Sequence, residues 1–161
     1  MDGEPRPPDN RPVAGKEIVL RLEDVEVRYG PIPALRGVTM EIRRGEIVCL
    51  PGGNASGKST TMKAVIGSVR PTRGRILYEG LDITSWNTSR RVGHAIAIVP
   101  EARRIFPRLT VMENLLMGAF TRSDRNEIDA DLDRVLEVVP RLGGRASQRA
   151  GTLYGGARRT L

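Results

Sequence analysis

Two stretches near the start of the chain alternate apolar and polar residues with a period of two. The first stretch has Ile18, Leu20 and Leu22 and then, after a step of three, Val25 and Val27; the second has Val38, Met40 and Ile42. This period is typical of β-strands with one buried face. We therefore predict two strands here, with a turn at residues 43–46 after the second.

Short continuous apolar runs follow at residues 47–50, 76–78 and 95–99, the first ending at Pro51 and the last at Pro100. Continuous apolar runs suit strands that are buried on both faces, as in a parallel sheet. We predict buried strands in the first and last of these runs and a further strand in the middle one.

Two other segments have the spacing of amphipathic helices. Their apolar positions are Met62, Val65, Ile66 and Val69 in the first and Ile128, Leu132, Val135, Leu136 and Val139 in the second. We expect Pro71 to end the first helix, Ser123 to cap the second and Pro140 to end it. Together the patterns predict an α/β fold, with an α/β core part over residues 17–100 and a helical part over residues 101–156.

The composition is that of a soluble globular domain, with 39% apolar and 28% charged residues. No apolar stretch approaches the roughly 20 residues that a membrane-spanning helix needs. Residues 1–16 hold prolines among charges and lack an apolar segment, so we expect a disordered tail and no signal peptide. Cys49 is the only cysteine, which excludes an intrachain disulfide. These features predict a cytoplasmic protein.

The formal net charge of +7 raises the question of a nucleic-acid or membrane-surface partner. The basic residues are nearly all arginines, scattered from Arg6 to Arg159, and aromatic residues make up only 4% of the chain. So few rings do not supply a surface on which bases could stack. We therefore predict no nucleic-acid partner.

A glycine-rich segment reads G-G-N-A-S-G-K-S and fits the phosphate-loop pattern G-x-x-x-x-G-K-[ST]. Its glycines let backbone N–H groups converge on phosphate oxygens, and the following helix presents its positive N-terminus to the same anion. Lys58 would reach the β- and γ-phosphates, and the Ser59 hydroxyl would bind Mg²⁺. The candidate nucleotide-binding residues here are Gly52, Gly53, Asn54, Ala55, Ser56, Gly57, Lys58, Ser59 and Thr60.

Further motifs resemble those of the ATP-binding subunits of ABC transporters, over residues 18–156. Residues 27–30, V-R-Y-G, are similar to the family's aromatic loop, and residues 34–38, A-L-R-G-V, with 44–46, R-G-E, resemble the stretch before its phosphate loop. The resemblance implies a P-loop NTPase fold, the ABC-type nucleotide-binding domain, with an antiparallel β part, a parallel core and a helical subdomain. It also implies that Tyr29 stacks on the adenine of ATP.

Residues 99–107, V-P-E-A-R-R-I-F-P, lie at the family's glutamine loop, where most members carry a glutamine that contacts Mg²⁺ and the attacking water. Glu101 at that position, with L-T-V at 109–111 and E-N-L at 113–115, resembles the LivF-type branch of branched-chain amino-acid importers. This implies an ATP hydrolase that binds ATP and Mg²⁺, the metal at Ser59 and Glu101. It further implies dimerisation with a second ABC ATP-binding subunit and import through transmembrane permease subunits, at the inner face of the cell membrane.

The chain departs from the family at its signature, normally L-S-G-G, where it carries Leu153, Tyr154, Gly155 and Gly156. In the family the serine and glycines contact the γ-phosphate held by the opposite subunit. Tyr154 in place of that serine would crowd the shared nucleotide and remove one donor. Ala55 replaces a common glycine of the phosphate loop, and it adds a methyl group where we expect an unusual backbone φ.

The sequence ends at Leu161, before the Walker B strand and the switch histidine that follow the signature in the family, and its only histidine, His94, lies upstream. In the family an aspartate there binds Mg²⁺ and a glutamate activates water. Without that strand we expect residues 47–50 to keep an unpaired edge. Two alternatives to an active ATPase subunit stay open: a nucleotide-binding remnant without hydrolysis, and a non-functional truncated product.

We predict that the 161-residue chain alone shows little or no ATP hydrolysis, because the family's Walker B aspartate and glutamate are not in its sequence. Phosphate release from Mg-ATP should stay at the level of the Lys58→Ala variant. A turnover on the order of 1–100 per second that Lys58→Ala abolishes would contradict this prediction.

Overall fold

The computed structural model describes residues 17–100 and 105–153. Three of the sequence predictions lie outside the described residues: the tail at 1–16, the carboxylate of Glu101, and the signature residues 154–156. These three therefore stay predictions.

The first unit, Met1–Thr88, is built on a four-stranded antiparallel sheet in the order β2-β1-β3-β4. Its strands are β1 (Ile18–Tyr29), β2 (Ile32–Arg43), β3 (Arg73–Tyr78) and β4 (Leu81–Asp82). The two long strands are the two alternating stretches, so that prediction is confirmed. In β1, Leu22 and Val25 are both buried although they are three residues apart, because the register shifts between them, where Asp24 has a positive φ. Val27 of β1 and Ile76 of β3 are buried as well.

Helix α1 (Lys58–Ile66) follows the glycine-rich loop as predicted, but it is shorter than expected. It ends at Gly67, whose φ of 80° is the left-handed conformation common just after a helix, and not at Pro71. Val69 therefore lies beyond the helix, and Met62 of the predicted apolar face is exposed. Helix α1 buries Ile66 of the predicted apolar face, and with it Thr61 and Ala64.

The first and last of the three continuous apolar runs, residues 47–50 and 95–99, are not strands in the structure. Ile47 is 93% exposed and Val99 is 95% exposed, so the prediction that these runs are buried strands is wrong. A strand exists only with a hydrogen-bonded neighbour, and none of the described strands pairs with either run. All strand pairs among the described residues are antiparallel, and the expected parallel core is not formed by them.

The described residues of the second unit, Ser89–Leu161, form helices and turns, without a strand. Its helices are α2 (Thr88–Gly93, which starts at the boundary), α3 (Val111–Gly118), α4 (Arg125–Val138) and α5 (Pro140–Gly143), followed by a 3₁₀ turn at Ala150–Thr152. Val111, Leu142 and Leu153 form a small buried cluster, and Leu136 of the predicted apolar face packs against it. Among the described residues of either unit, no helix is both long and apolar enough to cross a membrane.

The ends of α4 differ from the prediction. Its N-cap is Asp124, one residue beyond Ser123, and it ends at Val138. Pro140 was expected to end α4, but it is the first residue of a further helix, α5. The fixed φ of proline suits the first turn of a helix.

A capping box that the sequence analysis did not predict begins α3. The Glu113 N–H donates to the Thr110 hydroxyl at 3.1 Å, and the Thr110 N–H donates to the Glu113 carboxylate at 2.7 Å. The backbone N–H and then the hydroxyl of Thr110 lower the pKa of the Glu113 carboxyl below its ordinary value. The ionised Glu113 carboxylate therefore stabilises the helix fully at a pH above the ordinary pKa of glutamate. This stabilisation is lost as the pH falls through the lowered pKa of Glu113.

Gly74 and Gly80 form a matched pair for testing how closely β1 and β3 pack. Both have a positive φ, 82° and 79° respectively. A Cβ on Gly74 would overlap backbone atoms of Glu23 and Asp24 in β1, whereas a Cβ on Gly80 meets nothing within 4 Å.

We expect Gly80→Ala to lower the free energy of unfolding by about 1 kcal/mol, from backbone strain alone. Gly74→Ala should lower it by about 3 kcal/mol, because the strands must also move apart. Urea unfolding of both variants measures the difference. Equal losses of unfolding free energy in the two variants would show that the close approach of Gly74 to β1 adds nothing to the cost of the substitution.

Candidate nucleotide-binding site

The glycine-rich loop of the first unit requires glycine at both of its ends. Gly52 and Gly57 have φ values of 148° and 90°, a range that side chains rarely adopt. A Cβ on Gly52 would lie 2.5 Å from Ser56 Oγ. A Cβ on Gly57 would lie 2.7 Å from Leu35 Cδ2 on β2. The loop thus closes on itself at one end and packs on the sheet at the other.

The Lys58 ammonium is held against the backbone of this loop. Its Nζ donates to the carbonyl oxygens of Gly52 at 2.7 Å and Gly53 at 2.6 Å, and to Ser56 Oγ at 3.2 Å. These oxygens are neutral, and a phosphate oxygen would form the stronger, charge-assisted hydrogen bond with the same ammonium. The loop therefore carries a full positive charge that is available to an anion.

The start of α1 adds a partial positive charge at the same place. Its N-cap, Gly57, has no side chain to accept from the first amides, and no acidic residue lies in the first turn. Free N–H groups and the helix dipole favour an anion here. Ser59 and Asn54 are exposed, and Thr60 is half-buried.

The candidate metal ligand in the described part of the site is a hydroxyl. The described residues contain no group of three or more His, Cys, Asp and Glu side chains that could hold a metal ion. Mg²⁺ usually keeps several waters and phosphate oxygens and takes only one or two protein ligands. The exposed Ser59 hydroxyl beside the loop therefore fits Mg²⁺ that arrives with a nucleotide.

The predicted adenine-stacking residue, Tyr29, lies at the end of β1 and is 45% exposed. Strand β2 pairs with β1 beside this ring, and its Ala34 carbonyl oxygen is 3.2 Å from the position of a Cβ on Gly57. The ring and the loop are thus attached to the same strand pair.

Of the signature residues, the structure describes Leu153, whose side chain is buried against Val111 and Leu142. This is a packing role, and it anchors the segment that leads into Tyr154. The roles predicted for Tyr154 and Glu101 are untested by the described residues.

Asn114 was given no role of its own from the sequence, and in the structure it holds Phe106 against α3. Its side chain accepts from the Phe106 N–H at 2.8 Å and donates to the carbonyl oxygens of Phe106 at 3.0 Å and Thr110 at 2.8 Å. The Gly151 N–H donates to the Pro107 carbonyl oxygen of the same segment at 3.0 Å. The chain after Glu101 and the chain before the signature are therefore bonded to each other.

The loop, its helix and the sheet beneath it define a protein of the P-loop class. The family model described as ABC transporter matches residues 35–161, so the chain belongs to the ABC transporter family. The family resemblance inferred from the motifs is thereby confirmed.

Known relatives agree with this assignment. The chain is 44% identical to the high-affinity branched-chain amino acid transport ATP-binding protein BraG of Pseudomonas aeruginosa, over 89% of this chain and 61% of that protein. It is 34% identical to the probable branched-chain amino acid transport ATP-binding protein LivF of Archaeoglobus fulgidus, over 89% of this chain and 60% of that protein. The chain thus spans about three fifths of the length of these relatives.

A solved structure of an ATP binding subunit of an ABC transporter has the same fold as the chain. The two superpose with a TM-score of 0.75 at 29% identity, over 88% of this chain and 58% of that one. The ABC-type nucleotide-binding fold inferred from the sequence is therefore confirmed for the part of the chain that superposes.

Ala55 adopts a φ of 63°, so the expected unusual conformation at this loop position is confirmed. We predict that Ala55→Gly raises the free energy of unfolding by about 0.5–1 kcal/mol, because the relieved strain exceeds the added freedom of the unfolded chain. Ala55→Val should lower it, since a β-branched residue tolerates positive φ poorly. Thermal and urea unfolding measure both. A lower free energy of unfolding in Ala55→Gly would contradict the claim that the backbone of Ala55 is strained.

Proposed function

We propose that this chain binds Mg-ATP as part of an ATP-binding subunit of an importer of branched-chain amino acids. Lys58 and the α1 N-terminus would hold the β- and γ-phosphates, Ser59 with Glu101 would bind Mg²⁺, and Tyr29 would stack on the adenine. The observation that carries the proposal is the Lys58 ammonium, which faces a loop closed by sterically required glycines at an uncapped helix start.

The transport role rests on the relatives. Both relatives named above carry branched-chain amino acid transport in their names, and the family to which the chain belongs is that of ABC transporters. By this proposal the whole protein pairs with a second ABC ATP-binding subunit and acts on transmembrane permease subunits from the inner face of the membrane. ATP bound at the loop would supply the energy for import.

We expect Lys58→Ala to weaken Mg-ATP binding on the order of 10- to 100-fold, the effect of losing charge-assisted hydrogen bonds to phosphate. Lys63→Ala is the matched control, since Lys63 lies on the same helix and has the same charge. Isothermal titration calorimetry of the chain and both variants measures the dissociation constants. Equal weakening by the two variants, or no binding by the unaltered chain, would overturn the proposed site.

The transported substrate is tested by uptake in the native host. Replacing the Lys58 codon in the genome by an alanine codon should abolish uptake of labelled leucine and leave uptake of labelled glucose unchanged. Unchanged leucine uptake would refute the branched-chain amino-acid role, and it would leave the calorimetric result on ATP as a separate finding.

A further inference from the structure

The turn between β1 and β2 consists of two residues, Gly30 and Pro31. Gly30 has a φ of 58°, while the ring of Pro31 requires a negative φ, and this combination fits a type II′ hairpin turn. The Arg28 guanidinium donates to the Pro31 carbonyl oxygen at 2.6 Å across the turn. Tyr29 and Ile32, the residues on either side of it, are directly opposite each other in the strand register.

Tyr29 and Ile32 together form an apolar surface at the end of the hairpin, here called the hairpin platform. Residues directly opposite in an antiparallel pair lie on the same face, with Cβ atoms about 5 Å apart. Tyr29 is 45% exposed and Ile32 is 66% exposed. Two large neighbouring side chains therefore offer contiguous apolar surface to solvent.

The hairpin platform lies close to the phosphate loop along β2. From Ile32 the strand reaches Ala34 in two residues, about 7 Å. The Ala34 carbonyl oxygen is 3.2 Å from the Cβ position of Gly57, where the loop meets α1. A nucleoside triphosphate whose phosphates are held by the loop therefore has its base within reach of the hairpin platform.

We propose that Ile32 is a second base-binding residue, which extends the apolar surface that Tyr29 presents to the base of a bound nucleoside triphosphate. The inference rests on the proposed nucleotide site at the loop. Contact with a base would cover exposed surface of Ile32, and the resulting affinity scales with the apolar area removed from water. This contribution depends on the base and is independent of the phosphates.

The test compares two ligands, Mg-ATP and Mg-tripolyphosphate, in calorimetric titrations of the full chain and of Ile32→Thr. Threonine keeps the β-branch that suits a strand and removes most of the apolar surface. Tripolyphosphate has the phosphates without the base, so its binding also reports whether the loop is intact in the variant.

Leu81→Thr is the matched control. Leu81 is a 52% exposed apolar residue of the same sheet. It pairs with Tyr78, which in turn pairs with Leu20 near the far end of β1. Leu20 is nine residues from Tyr29, about 30 Å along the strand.

We expect Ile32→Thr to weaken ATP binding about fivefold, the effect of losing roughly 40 Å² of apolar contact, with tripolyphosphate binding unchanged. Leu81→Thr should change neither affinity. Unchanged ATP binding by Ile32→Thr would overturn the inference, as would equal weakening for both ligands, which would mean that Ile32 acts through the loop. If the unaltered chain binds neither ligand, the proposed nucleotide site itself is wrong and the role of Ile32 falls with it.

Discussion

The close packing of Gly57 on strand β2 is the constraint on which the candidate site depends. A Cβ at Gly57 would lie 2.7 Å from Leu35 Cδ2 and 3.2 Å from the Ala34 carbonyl oxygen, so a side chain there would force β2 residues to shift. Leu35 is buried and pairs in register with the buried Val27 of β1, so the loop rests on the core of the sheet. Lys58 follows Gly57 directly, and Tyr29 ends β1, the strand that pairs with β2. The candidate phosphate-binding cation and the candidate base-stacking ring are therefore both attached to this strand pair.

Arginines of the four-stranded sheet form ion pairs with carboxylates on neighbouring strands. Arg21 pairs with Glu41 at 3.0 Å and Arg75 with Glu23 at 2.6 Å, both across neighbouring strands. Exposed pairs of this kind contribute little to stability, but they compensate charge locally. Lys58 differs from these arginines because its partners are neutral oxygens.

Local sequence patterns predicted the elements whose structure is set by adjacent residues. They did not predict which segments find a partner strand elsewhere in the fold. The alternation of β1 and β2 and the G-x-x-x-x-G-K-S spacing predicted the sheet and the loop with its helix. Residues 47–50 and 95–99 have the composition of buried strands, but a local pattern does not say whether a partner strand is present. Two signals were readable and were missed: Gly67, a common helix end, and the T-x-x-E capping box at Thr110.

The central claim, that the loop and the first turn of α1 receive the phosphates of ATP, is tested most directly by amide hydrogen exchange with and without Mg-ATP. Residues 52–56 of the loop are exposed in the structure, so their amides should exchange fast in the free chain. Mg-ATP is predicted to slow exchange at least about tenfold in residues 52–60, because phosphate oxygens accept from N–H groups of the loop and of the first turn of α1. Protection elsewhere in the chain, with residues 52–60 unchanged at saturating Mg-ATP, would contradict this claim.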